Sequence, residues 1–163
     1  MSDEEVTMST TDPLATTLET AARWRDAPAP EVVARLQNLI QVYAVLTDAG
    51  REEELASLFT SDASWNGEDL GYGSARGPAD IAATVLQHFN PARPMMHVPG
   101  AALLVTISET EVHGVSWCLA TRSSGVGNGP LIWFMYDDVF RHDGGGEWRF
   151  ATRTLRLRFR TGG

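Results

Sequence analysis

The chain has 163 residues, 43% of them hydrophobic, and a formal net charge of −8 at pH 7. This length favours one domain with its own core, expected over residues 13–163, and the acidic balance argues against nucleic acid or an anionic membrane surface as a partner. All 13 basic residues are arginine, which excludes Schiff-base chemistry on lysine, and the single cysteine, Cys118, excludes a disulfide framework.

The first twelve residues, "MSDEEVTMSTTD", are polar and acidic, and we expect them to be disordered. They have neither the basic start nor the apolar stretch of a secretory signal. No run in the chain approaches the roughly 18 apolar residues of a membrane span, so we expect a cytoplasmic protein without a membrane partner. A first short helix is predicted over about 14–25, ended by the segment "DAPAP".

Three more helices are predicted in the first half of the chain. Apolar residues recur with helical period from Glu31 to Gly50, and this glycine is a natural stop. A second short helix follows over 51–59, with acids in its first turn. After a hairpin predicted from "ASWNGE" and "GYGSARG", another helix covers 77–91, with Pro78 in its first turn. The buried row predicted for this helix consists of Ile81, Val85 and Phe89.

The second half of the chain is predicted to form antiparallel strands. Four strand-like segments are separated by the turn-forming stretches "SETE", "SSGVGNG" and "HDGGG". Helices followed by a run of such strands indicate the α+β class. We expect a strongly curved, antiparallel or mixed sheet that packs on three or four helices and leaves an apolar pocket. The predicted strands cover 95–107, 111–122, 130–141 and 147–160.

Three polar side chains interrupt apolar faces on three different predicted elements. Asp48 continues the row of Ile40 and Ala44 on the long helix, since residues four apart share a helix face. His97 and Arg153 each interrupt the apolar face of a predicted strand, where side chains alternate. Burying any one of the three unpaired costs several kcal/mol, so we expect them to meet. An aspartate that orients a histidine makes a general base, and a nearby cation stabilises an oxyanion or a leaving group.

Each of these residues also has a purely structural explanation. Asp48 could cap the helix that follows it, and His97 could be a hydrogen-bonded residue of the core. Arg153 could form an ion pair with Asp137 or Asp138 on the neighbouring strand. The spacing of the residues alone leaves the catalytic and the structural interpretations open.

Several stretches, taken together, resemble one family. They are "YAVLTDAGREEELASLFTSDASW", "GPADI", "MMHV" followed by "ETEVHGVSW", and "VFRHDGGGEWRFATR". Their order and spacing over about residues 31–160 are similar to the SnoaL-like branch of the nuclear transport factor 2-like superfamily, above all the sub-branch with scytalone dehydratase and hexachlorocyclohexane dehydrochlorinase. The resemblance implies a cone-shaped α+β fold around an apolar pocket. It also implies catalytic roles for Asp48 and His97, with Arg153 assisting a leaving group.

The function expected from these residues and this resemblance is that of a cofactor-independent lyase or isomerase of the dehydratase type. His97, oriented by Asp48, would take a proton from an apolar, cyclic small molecule, with no metal and no cofactor. The alternatives are a polyketide-type cyclase in the same pocket, or a non-catalytic subunit similar to the β subunits of ring-hydroxylating dioxygenases. Large side chains expected at the pocket are Tyr43, Trp65, Phe89, Met95, Met96, Trp117 and Trp133.

Two further expectations concern the surface and the substrate. Arginine-rich and aromatic strand faces suggest a homo-oligomer, and the family includes dimers and trimers. The scytalone dehydratase pattern is incomplete, because Arg122 stands where that enzyme has a second histidine and Thr47 where it has a tyrosine. The resemblance therefore argues against that enzyme's own substrate.

Overall fold

The computed structural model describes residues 15–122, 129–142 and 145–161. They form an α+β cone in which four α-helices pack on a mixed sheet of six strands, as the sequence predicted. The segment 1–12, predicted to be disordered, lies outside the described residues. In the described part of the chain, no helix is both long enough and apolar enough to cross a membrane.

The helices lie where the apolar periodicity predicted them: α1 (Ala15–Ala22), α2 (Pro30–Ala49), α3 (Glu52–Ser57) and α4 (Pro78–Leu86). Helix α2 ends at Gly50, whose φ of 66° is the left-handed conformation that glycine adopts without strain. The amide of Arg51 then donates to the carbonyl of Leu46 at 3.0 Å, which closes the last turn. This turn sets the position of Asp48, two residues before the glycine.

The six strands are β1 (Phe59–Asn66), β2 (Ser74–Arg76), β3 (Met95–Ser108), β4 (Glu111–Arg122), β5 (Leu131–His142) and β6 (Trp148–Arg160). Their order across the sheet is β2-β1-β6-β5-β4-β3. Neighbouring strands are antiparallel except β1 and β6, which run parallel. The predicted hairpin of β1 and β2 is therefore attached to the sheet through β6.

Different helices cover the two faces of the sheet. Strand alternation places His97 and Tyr136 on one face, named here the inner face, and α2 packs over it through Tyr43. The opposite face, named the outer face, is partly covered by α1, where Oγ1 of Thr20 lies 3.1 Å from Nδ1 of His113. The main hydrophobic core consequently lies between the inner face and helices α2, α3 and α4.

A β-bulge in β3 changes which of its residues face inward. The sequence pattern predicts one continuous inward row of odd-numbered residues over 95–107. The pairing with β4 shifts between Pro99 and Ala102, and the extra residue there reverses the alternation. Leu104 consequently joins the core, whereas Ile107 is exposed. The predicted row is wrong beyond the bulge.

The buried row predicted for α4 is also wrong at one end. Ile81 is fully buried, but Phe89 is 41% exposed. The helix ends at Leu86, so Phe89 lies outside it and no longer follows the helical period. Phe89 instead lines a cavity beside the helix.

Candidate active site

A cavity opens between α2, the segment after α4 and the inner face of the sheet, and it encloses about 550 Å³ when the solvent at its mouth is included. Its lining is mostly apolar or aromatic, as is typical of small-molecule sites. Tyr43, Trp65, Phe89 and Met95, which the sequence placed at a pocket, all line it. Further apolar wall residues are Val85, Leu86 and Leu155.

His97 and Asp48 form a hydrogen-bonded pair beside this cavity. Oδ1 of Asp48 lies 2.5 Å from Nδ1 of His97, and Oδ2 accepts the backbone N–H of His97 at 2.8 Å. Because an ionised carboxylate only accepts hydrogen bonds, the neutral imidazole carries its hydrogen on Nδ1 and keeps a lone pair on Nε2. The imidazole lines the cavity, and Nε2 has no hydrogen-bond partner among the described residues.

The end of α2 and the start of β3 bring this pair together. Asp48 lies in the last turn of α2, on the face that also buries Ile40 and Ala44. The capping explanation for Asp48 is not supported, because α3 has no side-chain hydrogen bond at its N-terminal cap. Both oxygens of the carboxylate are instead bonded to His97.

Tyr43 lines the cavity from α2 and is the tyrosine whose hydroxyl meets Trp65. Nε1 of Trp65 donates to its Oη at 3.2 Å, which leaves the hydrogen of the tyrosine available to a ligand. Burial raises the pKa of Tyr43, and the charge of Arg153 opposes that rise. The phenol is therefore neutral at physiological pH and able to donate within the cavity.

Arg153 lies beneath the cavity wall rather than in it. Its side chain is fully buried, and Nε and Nη2 donate to the two carboxylate oxygens of Asp138 at 2.8 and 2.7 Å. Its guanidinium carbon lies 4.1 Å from the ring centre of Tyr43 and 3.8 Å from that of Tyr136. Burial alone would lower the pKa of Arg153, but the carboxylate of Asp138 outweighs this effect and raises it.

The predicted contact between Arg153 and a leaving group does not fit this geometry. Arg153 lies directly opposite Asp138 in the register of β5 and β6, and that ion pair occupies Nε and Nη2, while Nη1 is buried without a hydrogen-bond partner among the described residues. The structural alternative, a pair with an aspartate of the neighbouring strand, is the arrangement that forms. Arg153 does not line the cavity, but its guanidinium contacts the rings of Tyr43 and Tyr136, which do.

Three of the predicted pocket residues lie on the outer face. Met96, Trp117 and Trp133 are 56%, 40% and 47% exposed and do not line the cavity. Each is next in sequence to a residue on the inner face, such as His97 or Phe134, and neighbouring strand residues point in opposite directions. The prediction that they line the pocket is wrong for this reason.

Sequence reasoning missed several residues that line the cavity. Tyr136 and Arg122 lie on the inner face of β5 and β4, and alternation applied to those strands would find both. Tyr72, His88 and Asn90 come from loops, where no periodic pattern indicates the direction of a side chain.

A second histidine–aspartate pair lies on the outer face. Nε2 of His113 is 2.6 Å from Oδ1 of Asp137, and Nδ1 contacts the hydroxyl of Thr20 on α1. This pair attaches α1 to the sheet and does not line the cavity. It provides a matched comparison for the pair of His97 and Asp48.

Other chemistry has less support at this cavity. Burial raises the pKa of the Cys118 thiol to about 11, so it is protonated at neutral pH and a poor nucleophile. Within residues 15–122, 129–142 and 145–161, no three His, Cys, Asp or Glu side chains are grouped as metal ligands. Proton transfer by His97 is the chemistry that the described side chains support best.

Residues 30–154 match the family of the SnoaL-like domain, which covers more than half of the chain. The chain belongs to the SnoaL-like family. This is the branch of the nuclear transport factor 2-like superfamily that the sequence motifs predicted. No curated protein matches this SnoaL-like chain at a significant level.

Solved structures similar to this SnoaL-like chain share its fold. A scytalone dehydratase-like protein from Novosphingobium aromaticivorans is 22% identical, with a TM-score of 0.69 over 88% of this chain and 90% of that one. The hexachlorocyclohexane dehydrochlorinase LinA-type3 from Novosphingobium barchaimii is 26% identical, with a TM-score of 0.68 over 78% and 87%. The β subunit of an aromatic-ring-hydroxylating dioxygenase-like protein from N. aromaticivorans is 17% identical, with a TM-score of 0.65 over 87% and 92%.

Proposed function

We propose that this chain is a cofactor-independent lyase or isomerase that removes a proton from carbon in an apolar, cyclic small molecule. His97 is the base, Asp48 orients its ring, and Tyr43 donates to the departing group or to an enolate oxygen. The observation that carries the proposal is the contact between Asp48 and Nδ1 of His97, which leaves Nε2 free beside an apolar cavity.

The surroundings of His97 suit a general base. The carboxylate at Nδ1 holds the ring in the tautomer with a lone pair on Nε2, and it stabilises the positive charge that forms when Nε2 takes a proton. Asp48 lies in the last turn of α2, where the helix dipole is negative and adds to this stabilisation. A positioned base of this kind accelerates proton transfer by about 10²–10⁴-fold.

Proton abstraction by His97 can lead either to an elimination or to a shift of the proton to another carbon. The C–H hydrogen passes to Nε2 of His97, and the C–H electron pair forms a new double bond. In a lyase reaction, the group on the adjacent carbon leaves with its bonding pair, and Tyr43 donates to it. In an isomerase reaction, the imidazolium returns the proton to another carbon. Arg153 keeps positive charge beneath the ring of Tyr43 and favours negative charge on the phenol oxygen.

The similar structures support a reaction of the elimination type. One is a scytalone dehydratase-like protein and another is a hexachlorocyclohexane dehydrochlorinase. The same fold also forms the β subunit of a dioxygenase-like protein, so the fold by itself does not select the reaction. The argument for a lyase or isomerase therefore depends on the side chains at the cavity.

A reaction that needs only a base in an apolar cavity tests the proposal. Removal of the C–H proton of 5-nitrobenzisoxazole opens the ring to a coloured cyanophenolate, so initial rates report proton abstraction. We expect the wild-type protein to accelerate this reaction and His97→Ala to lose about 100-fold of the acceleration. Asp48→Asn should lose a smaller part, because the base remains but its ring is no longer oriented by a charge.

His113→Ala is the matched control for this test. It removes the other histidine of a histidine–aspartate pair, on the outer face, and leaves the cavity lining unchanged. It should therefore keep the wild-type rate. Equal rates for wild type and His97→Ala, with both proteins folded by circular dichroism, would contradict the proposal.

The likeness to a dioxygenase β subunit supports one alternative, a non-catalytic assembly subunit. Such a chain would show the same background rate in every variant. It would also copurify with a larger, iron-containing partner when expressed in its own host. These two results together would contradict the enzymatic proposal and support a non-catalytic assembly subunit.

A further inference from the structure

We propose that the substrate carries an anionic group, in the simplest case a carboxylate, and that Arg122 binds this group in the cavity. The inference rests on the proposed function, because it names the substrate class of the same site. The molecule that His97 deprotonates would then be a ring carboxylate rather than a neutral ring.

Arg122 reaches the cavity from the inner face of the sheet. It pairs with Met95 across β3 and β4, whereas His97 pairs with Ala120, so Arg122 and His97 project from the same face. Met95 and His97 are two residues apart on β3, a distance of about 7 Å along the strand. One substituted ring can therefore place an anionic group at Arg122 and a C–H bond at His97.

The guanidinium of Arg122 has no acidic partner among the described residues. Its hydrogen bond runs from Nη2 to the thioether sulfur of Met95 at 3.2 Å, and a thioether is a weak acceptor. The buried Arg153, by contrast, is bound at two nitrogens by Asp138. The stretch that follows Arg122, "SSGVGN" at 123–128, contains no acidic residue. A half-buried arginine without a carboxylate partner keeps its fork of donors available to a ligand.

The one charged side chain in the described lining of the cavity is that of Arg122, although the protein is acidic. Acidic residues outnumber basic ones by 21 to 13 in the chain, yet the described lining contains no aspartate or glutamate. Asp48, behind the imidazole, is occupied by His97, while His88 and Asn90 add hydrogen-bond donors to the lining. Because arginine binds carboxylates through two parallel hydrogen bonds in partly desolvated sites, this lining favours an anion over a neutral ligand.

Two probes that differ only in charge test the inference. 2-Naphthoate and 2-naphthamide share their ring system and shape, and isothermal titration calorimetry measures both dissociation constants. We expect the wild-type protein to bind 2-naphthoate about 10-fold or more tightly than the amide. Arg122→Met keeps an unbranched side chain without the charge and should remove this preference. Arg122→Gln is a second uncharged variant, in case the methionine substitution impairs folding.

Two control variants separate Arg122 from other sources of positive charge. Arg158→Met lowers the net charge equally, but Arg158 is exposed on β6 and does not line the cavity, so the preference should remain. His97→Ala removes the other group that can become positive beside the ligand. Since Arg122 binds the carboxylate in this proposal, His97→Ala should also keep the preference for 2-naphthoate over 2-naphthamide.

Several results would overturn the inference. They are equal affinity for both probes in the wild type, binding of neither probe, or a preference that survives in Arg122→Met and Arg122→Gln. A preference lost in His97→Ala alone would assign the anion to the imidazole instead. Failure of the proposed function would appear in the proton-abstraction assay, as an unchanged rate for His97→Ala, so the two failures are distinguishable.

Discussion

Asp48, His97 and Arg153 are three polar residues on apolar faces, and desolvation requires a partner for each of them. Asp48 and His97 are each other's partner, with 2.5 Å between Oδ1 of Asp48 and Nδ1 of His97. Arg153 forms an ion pair with Asp138, which lies directly opposite it in the register of β5 and β6. A buried charge pairs with the nearest opposite charge, and which one is nearest depends on the register of neighbouring strands.

Asp138→Asn should lower the free energy of unfolding by about 3–5 kcal/mol, because it leaves the fully buried guanidinium of Arg153 without a counter-charge. Urea unfolding followed by circular dichroism measures this change. Asp62→Asn is the control, since Asp62 pairs with Arg141 at the surface, where ion pairs contribute little. An unchanged unfolding curve for Asp138→Asn would show that this pair does not stabilise the core.

At the scale of the elements, the ends of helices and the bulges of strands decide which side chains meet. Helix α2 holds Asp48 in its last turn, against His97, and Gly50 caps the helix two residues later. Strand β3 places His97 inward because the bulge that reverses its alternation comes afterwards, between Pro99 and Ala102. A bulge placed before His97 would instead turn its imidazole to the outer face, away from Asp48.

Gly50→Ala should lower stability by about 1 kcal/mol or more and weaken the binding of 2-naphthoate. The glycine has a φ of 66°, and an added Cβ would lie 2.5 Å from the ring of Phe89, which lines the cavity. Gly73→Ala is the matched control, because Gly73 has a φ of 76° but nothing within 4 Å of an added Cβ. Thermal unfolding and calorimetry distinguish the two variants. Equal losses of stability and of 2-naphthoate affinity in the two variants would mean that the clash with Phe89 has no effect.

At the scale of the whole molecule, the inner and outer faces of the sheet have different roles. The inner face carries the core and the cavity, whereas α1 covers only part of the outer face. The uncovered part exposes apolar side chains, including the edge-to-face pair of Trp117 and Trp133, with Phe159 beside them. A contiguous exposed apolar patch of this kind is typical of an interaction surface. The expected homo-oligomer stays a prediction, and this is the surface on which it depends.

Trp133→Ser should shift the protein from a dimer or trimer towards a monomer. Size-exclusion chromatography with light scattering measures the molar mass at several protein concentrations. Trp24→Ser is the control, because Trp24 is also exposed but lies in the short 3₁₀ helix Trp24–Asp26 and not on the sheet. A wild-type protein that is monomeric at all concentrations would refute self-association, and an unchanged oligomer in Trp133→Ser would place its interface elsewhere.

The sequence by itself determined the α+β class, the helices, most of the strand bounds and the family of this protein. Helical periodicity, turn residues and helix stops are local properties, so a single sequence is enough to recognise them. Asp48 and His97 could be singled out in the same way, because each interrupts an apolar row on its own element. The tertiary structure alone decided that Arg153 pairs with Asp138 and that Trp117 and Trp133 face outward. These outcomes depend on strand register and bulges, where a shift of one residue moves a side chain to the opposite face of the sheet.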